Sequence, residues 1–367
     1  MTAVRVVVFV LGALVVAATV ASSIRTVILP RGVPARLARV VFLSLRAAFR
    51  LRIGRMASYE RRDRILALYG PLGLLVLLGA WISLVIAGYT GMYWGLGGRS
   101  LRTAFSFSGS SILTLGFEPP TDLPTTLLVM SEAAIGLVEL ALLITYMPSL
   151  YGAFSRREAL VTALEVRAGS PPSGVNMIER FWILGRLERL SDEVWVQWER
   201  WFVDVEESHS SFPALTFFRS PQPDHSWVTA AGAVLDAASL MRSTVDVEAD
   251  VQADICIRSG YLALRRICDF FRIPYEANPA TADPISITRQ DYDDVVARLE
   301  RAGVPLVADR DQAWRDFAGW RVNYDTVLLA LALLTDAPTV PWSSDRAGGQ
   351  WQRSIFHGLA RRGPGTD

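Results

Sequence analysis

Two acids and one four-residue string have the types and spacing to handle cations. Glu132 and Glu139 are the only charged residues in the apolar stretch 123–155. Seven residues apart, at ~100° per residue, they share one helix face. Ionisable groups inside a membrane are rare, and they usually face a bundle interior or an aqueous cavity. Upstream lies Thr114-Leu115-Gly116-Phe117, followed by Glu118, Pro119, Pro120 and Asp122. The string is too short to span a membrane, and it sits between two long apolar stretches. Non-helical backbone at membrane depth is tolerated only where it is buried in protein or lines a water-filled path. There, carbonyl oxygens can replace the water shell of a cation. Gly116 permits the positive φ that an alternating carbonyl arrangement demands.

The elements that must position these residues follow from where the apolar residues lie. The chain has 367 residues, 51% of them hydrophobic and 20% charged. That is too apolar for an ordinary soluble protein and too charged to be all membrane. Residues 6–24 and 65–98 carry no charge. Each of these stretches, like 123–155, exceeds or approaches the roughly 18 to 20 residues that cross a ~30 Å hydrocarbon core. Three transmembrane helices are expected near 4–29, 65–90 and 125–151. A three-turn helix over 101–113 and an extended return through 114–117 would form a re-entrant loop between the second and third.

Charge sets the expected orientation. The chain has no lysine, and ten of the arginines fall within residues 31–64, opposed only by Glu60 and Asp63. The positive-inside rule puts that connection in the cytoplasm. The N-terminus and the segment around Thr114 are then outside, and the long C-terminal region opening with Arg156-Arg157 is cytoplasmic. A cleaved signal peptide over residues 1–22 is the competing reading; cleavage would invert everything downstream, against both arginine clusters.

An outer helix, a short helix, a Thr-X-Gly-aromatic string and an inner helix, in that order, resemble the pore unit of the potassium channel superfamily, especially its bacterial single-pore members. Thr114, Leu115, Gly116 and Phe117 match the first four positions of the filter pattern Thr-Val-Gly-Tyr-Gly. Gly136, twenty residues past Gly116, stands near the family's glycine hinge, and residues 146–158 and 167–174 are also similar. The resemblance covers roughly residues 65–175. It implies a cation channel, of which K+ is the expected permeant ion, with the carbonyls of residues 114–117 and the Thr114 hydroxyl as ligands. No resident cofactor is implied; the permeant monovalent cation is cargo. One chain offers one such segment and has no internal repeat, so a homotetramer is expected.

The chain departs from the family pattern at Glu118, which stands where glycine usually follows the aromatic residue. The outer end of the filter is therefore expected to have its own geometry, with Glu118 and Asp122 at an acidic outer mouth; a solvated loop acid is the plainer reading of Glu118. With the third helix starting at Thr125, Glu139 lies ~21 Å along it and Glu132 ~10 Å. Glu139 is expected in the cavity below the filter, beside the hinge at Gly136, or else buried at a subunit interface. Glu132 is expected to support the filter from behind the short helix.

Residues 31–64 read as an interfacial helix attracted to anionic lipid. The spans lack regularly spaced arginines, so a dedicated voltage sensor is not expected. The domain reading is an N-terminal anchor over 1–30, the arginine-rich segment 31–64, a pore unit over 65–154, a cytoplasmic helical domain over 155–337 and a flexible tail over 338–367. Residues 156–167 continue the third helix and 169–174 break the pattern; further helical patterns run over 177–207, 227–242, 250–272, 288–302 and 311–335, with residues 328–334 as core. The fold class is all-α.

Cys256 and Cys268 read as reduced core thiols, and His209, His225 and His357 are too scattered for a metal site. The loop 207–227 could serve a Ser-His enzyme through His209, Ser210 and Ser211, or a ligand pocket through His209, Arg219 and His225. A structural loop needs neither, and no nucleophile elbow or phosphate loop accompanies it. No catalytic residue is therefore assigned, nucleic acid is not an expected partner, and the gating ligand or protein is unknown. A cation channel in the cell inner membrane, multi-pass, is the leading reading. A membrane-anchored helical scaffold with a degenerate, non-conducting pore motif is the alternative.

Overall fold

Three helices carry most of the chain's apolar length. The computed structural model describes residues 2–28, 36–53, 59–117 and 119–347. They form thirteen α-helices, and no strand is present among them, only an isolated bridge between Val245 and Leu306. Helices α1 (Thr2–Val27), α4 (Tyr69–Leu96) and α6 (Leu123–Ala168) are long and apolar enough to cross a membrane. Between them lie α2 (Arg36–Ile53), α3 (Tyr59–Leu66) and the short α5 (Leu101–Ile112). The described residues divide into two compact units, within Met1–Met56 plus Leu68–Gly152 and within Ala57–Ala67 plus Ala153–Asp367.

In the first unit α1 packs antiparallel on α4. The contact is made by small residues: a Cβ on Gly88 would meet the Gly12 carbonyl at 2.8 Å and the Val16 side chain at 2.7 Å. Small residues let helix backbones approach closely where lipid removes the hydrophobic incentive to pack. The core of this unit is Val16, Val85, Tyr89, Met92, Tyr93, Ala104, Phe107 and Ile112, drawn from α1, α4 and α5. Helix α2 docks against the start of α4: the Tyr69 hydroxyl donates to the Phe42 carbonyl at 2.5 Å, and the Phe42 and Phe49 rings meet Tyr69 edge-on.

The third long helix extends past its expected span, as the reading of 156–167 as its continuation has it: α6 runs unbroken for 46 residues through Pro148. At 1.5 Å per residue it is roughly 69 Å long, more than twice a hydrocarbon core. The arginine-rich connection also divides. Helix α2 packs with the membrane helices, whereas α3 belongs to the second unit.

The second unit adds α7 (Gly174–Ile183), α8 (Val196–Ser211), α9 (Trp227–Ser243), α10 (Val251–Phe271), α11 (Arg289–Arg301), α12 (Arg310–Arg321) and α13 (Asp325–Thr335). Helix α9 is its centre, buried continuously from Trp227 to Leu240. Two expected helices are broken. The pattern over 177–207 is interrupted at Gly185, whose φ of 63° ends α7 and turns the chain into a 3-10 and a π segment. The pattern over 311–335 stops at Asn323, whose side chain donates to the carbonyls of Gly319 and Trp320 and caps α12. The apolar run 328–334 is core, with Leu328 and Leu331 fully buried.

A buried ion cluster joins this core. Arg321, fully buried, pairs with Asp236 and with Asp325 at 2.8 Å, and donates to the Trp342 carbonyl at 2.6 Å. Residues 338–347, expected within a loose tail, are held here through Trp342, which also packs on Phe317 at 5.5 Å. Residues 348–367 of that expected tail lie outside the described residues.

Candidate functional site

Helix α5 is placed by both of its ends and by its flank. Ser100 caps it, accepting the Thr103 amide at 3.2 Å. Its flank packs on α4 through Phe107, edge-on to Tyr93 with ring centroids 4.9 Å apart. Glu132 of α6, 0% exposed, completes the joint: it accepts the Ser108 hydroxyl at 2.5 Å and the Tyr93 hydroxyl at 2.9 Å. One carboxylate thus ties three helices, with Tyr89 and Ser131 adding a third hydroxyl bond at 2.8 Å.

Beyond α5 the backbone folds back on the helix end. The amide of Leu113 reaches the Gly109 carbonyl at 3.3 Å, Thr114 reaches Ser111 at 3.0 Å and Leu115 reaches Ser110 at 2.8 Å. The amide of Phe117 donates to the Ser110 hydroxyl at 2.8 Å. Thr114 and Gly116 have φ of 56° and 69°, left-handed conformations at alternate residues. For the β-branched Thr114 this costs about 1–2 kcal/mol, strain of a kind that clusters at functional sites. The amides of Thr114, Leu115 and Phe117 are occupied, while among the described residues no hydrogen bond reaches the carbonyls of Thr114, Leu115, Gly116 or Phe117. All four residues are exposed.

The other sequence-selected residues fall in different settings. Glu118 lies outside the described residues. Asp122 is the N-cap of α6, accepting the Thr125 amide at 2.8 Å and its hydroxyl at 3.0 Å; these bonds hold its carboxyl below the usual carboxylate range. Gly136 is where α6 crosses the end of α5, and a Cβ there would collide with the Ile112 carbonyl and side chain. The glycine thus permits a close crossing. Glu139 is 1% exposed, and neither carboxylate oxygen has a partner. It shares the buried stripe of Thr125, Glu132 and Tyr146, on the opposite side of α6 from the exposed Leu127, Met130, Leu137 and Ile144.

Sequence reading missed Ser110, Ser108 and Tyr93. The signal was present in "SFSGSSI", where serines replace the aliphatic residues an ordinary buried helix would carry. Hydroxyls in an apolar setting need partners, and here the partners are Glu132 and the turn after α5.

In the second unit the loop residues are bound into the core. His209 is buried; its Nδ1 is 2.8 Å from the Val205 carbonyl and its Nε2 is 3.2 Å from Arg157. The carbonyl requires a proton on Nδ1, so Nε2 accepts from the guanidinium. Burial, with the Arg157 charge second, holds the imidazole well below its usual pKa and therefore neutral. Ser211 bonds Glu207, and neither Ser210 nor Ser211 bonds His209 among the described residues. Arg157 is also spent on the carbonyls of Leu215 and Phe218. Arg219 is saturated by Asp63, the Tyr59 hydroxyl and the carbonyls of Thr335 and Asp336. His225 faces Glu165 at 3.5 Å. Cys256 and Cys268 are buried and unpaired, their thiols pushed well up by burial. Among the described residues no group of three His, Cys, Asp or Glu side chains is placed to hold a metal ion.

No protein-family model, curated protein or solved structure matches the chain. What stands is a helical protein with three membrane-length helices, and a short helix that presents a turn of unpaired carbonyls between two of them.

Proposed function

We propose that the chain is one subunit of a cyclic tetrameric channel that passes monovalent cations, K+ foremost, with residues 114–117 as the coordinating segment. The observation that carries the reading is the division of labour in that segment: the amides of Thr114, Leu115 and Phe117 are bonded back to the end of α5, and among the described residues its four carbonyls have no hydrogen-bond partner. A cation entering dehydrated needs several such oxygens, more than one chain supplies, and a ring of copies multiplies them. Positive φ at alternate residues suits carbonyls that share one side.

A second observation supports assembly. The exposed large side chains on the membrane half of α6 include Leu127, Met130, Leu137 and Ile144, at alternating three- and four-residue spacing with Ala134 and Ala141. Such a seam favours packing against another helix of the same kind. In this reading the protein lies in the cell inner membrane with its N-terminus outside and the second unit in the cytoplasm, following the arginine asymmetry. Helix α2 then lies at the cytoplasmic surface, where its arginine-rich sequence draws anionic lipid while Val40 and Leu51, both exposed, enter the acyl boundary.

Reconstitution into liposomes with opposed K+ and Na+ gradients tests the function, and mass measurement in mild detergent tests the assembly. A conducting tetramer is expected. A tetramer that passes no ion would move the reading to a membrane-anchored scaffold, and a monodisperse monomer would end the pore reading.

A further inference from the structure

Glu139 has no counterpart among the described acids of the membrane unit. It is buried by its own chain to 1% exposure, and among the described residues neither carboxylate oxygen has a hydrogen-bond partner or contact with solvent. Glu132, one heptad earlier on the same face, has two hydroxyl donors. The hydrogen bonds Tyr93–Glu132 and Tyr89–Ser131 join α4 and α6 about two turns before Glu139.

Among the described residues no cation pairs with this carboxyl group. Helix α4 has no charged residue, and α5 has only Arg102, in its first turn. The two arginines of α1, Arg5 and Arg25, lie near its ends. On α6 the titratable neighbours are Glu132 and Tyr146, each two turns away. The arginines of α2 lie on a helix that docks at Tyr69 and Gly73, at the far end of α4 from the Glu132 joint. A second copy cannot reach oxygens that this chain already encloses. An isolated carboxylate in an apolar setting is far costlier than a neutral carboxylic acid.

We propose that Glu139 is a proton-binding site, a carboxyl group held as the neutral acid on the buried face of α6. A proton lost there leaves an unpartnered anion shut off from solvent, and that burial then favours release of Glu139 toward water. The site thereby makes the packing of α6 in the membrane unit sensitive to proton activity. This follows from the packing of one chain and stands whether or not the assembly conducts.

Infrared spectroscopy of the full chain in liposomes, with glutamate labelled by 13C at the side-chain carboxyl, reads the site directly. At neutral pH the wild type is expected to show the carbonyl stretch of a protonated glutamic acid, shifted in D2O, and Glu139→Gln is expected to lose it. The absence of that signal in the wild type overturns the proposal without any variant. A signal that persists in Glu139→Gln belongs to Glu132 and overturns it as well. Should Glu139→Gln fail to fold, Glu132→Gln decides: a signal retained in that variant supports the site at Glu139, and a signal lost from it refutes it.

Discussion

The Ser110 hydroxyl accepts the amide of Phe117 at 2.8 Å, so a helical side chain clamps the turn that follows its own helix. Residues 113–117 are held by that bond and by three backbone bonds to the end of α5. Removing the clamp leaves the helix intact and frees the exposed end of the turn. A net hydrogen bond is worth about 1 kcal/mol, roughly a fivefold change in an equilibrium. Ser110→Ala is expected to lower K+ over Na+ discrimination in liposome flux by about that factor, and Ser110→Thr to restore most of it. Unchanged discrimination in the alanine variant would detach the turn from ion selection.

Gly116 has a φ of 69°, and no atom lies within 4 Å of where a Cβ would be. The objection to a side chain there is conformational, about 1–2 kcal/mol. Gly116→Ala is therefore expected to abolish flux while leaving the tetramer mass and thermal midpoint nearly unchanged. Normal flux in that variant would place the ion path elsewhere.

Glu132 satisfies two buried hydroxyls at once. Glu132→Leu leaves Ser108 only the Ile86 carbonyl at 3.2 Å and Tyr93 only the Ser111 hydroxyl at 3.5 Å, a loss of about 1 kcal/mol for each bond removed, whereas Glu132→Gln keeps an acceptor. A clearly lower thermal midpoint in detergent is expected for leucine, with glutamine between it and the wild type. Equal midpoints for all three would mean that the joint between α4, α5 and α6 is held by packing alone.

Arg321 stands between Asp236 and Asp325 with no access to water. Arg321→Met removes the cation and leaves two acids buried, and breaking such a cluster costs about 3–5 kcal/mol. Loss of the cooperative unfolding transition of the second unit is expected by calorimetry. Arg321→Met combined with Asp236→Asn and Asp325→Asn should recover part of it, because the orphaned charges go with the arginine.

His209 is held neutral in the fold, its pKa well below the ordinary 6.5. Below about pH 6.5 the unfolded chain takes up a proton that the folded chain refuses. Stability contributed by His209 is thus complete above that pH and lost as pH falls, at no more than about 1.4 kcal/mol per pH unit. Unfolding midpoints compared between pH 7.5 and pH 5.5 should fall more steeply in the wild type than in His209→Gln. Parallel profiles would show that His209 takes a proton in place.

The three long helices were legible because uncharged length is itself the signal. Residues 6–24, 65–98 and 123–155 needed no knowledge of packing. The acid pair was legible too, since seven-residue spacing puts Glu132 and Glu139 on one face whatever that face meets. What each acid meets was not: one finds Tyr93 and Ser108, the other finds no partner, and both differences come from α4 and α5. Gly136 reads equally as a flexible point or a close crossing until Ile112 is seen against it. The breaks at Gly185 and Asn323 were hidden because the apolar periodicity continues across them. Least legible was the grouping of α3 with the C-terminal helices, a contact between residues 156 positions apart in sequence.

That grouping makes the second unit discontinuous in the chain. Arg219 is bound on one side by the carbonyls of Thr335 and Asp336 and on the other by Asp63 and Tyr59 of α3. A fragment cut to begin at Ala153 would therefore lack one of its own pieces, leaving the Arg219 guanidinium without Asp63 and Tyr59. A synthetic peptide of residues 57–67 added in trans should dock there and raise the fragment's melting temperature, and the same peptide with Asp63→Ala should not.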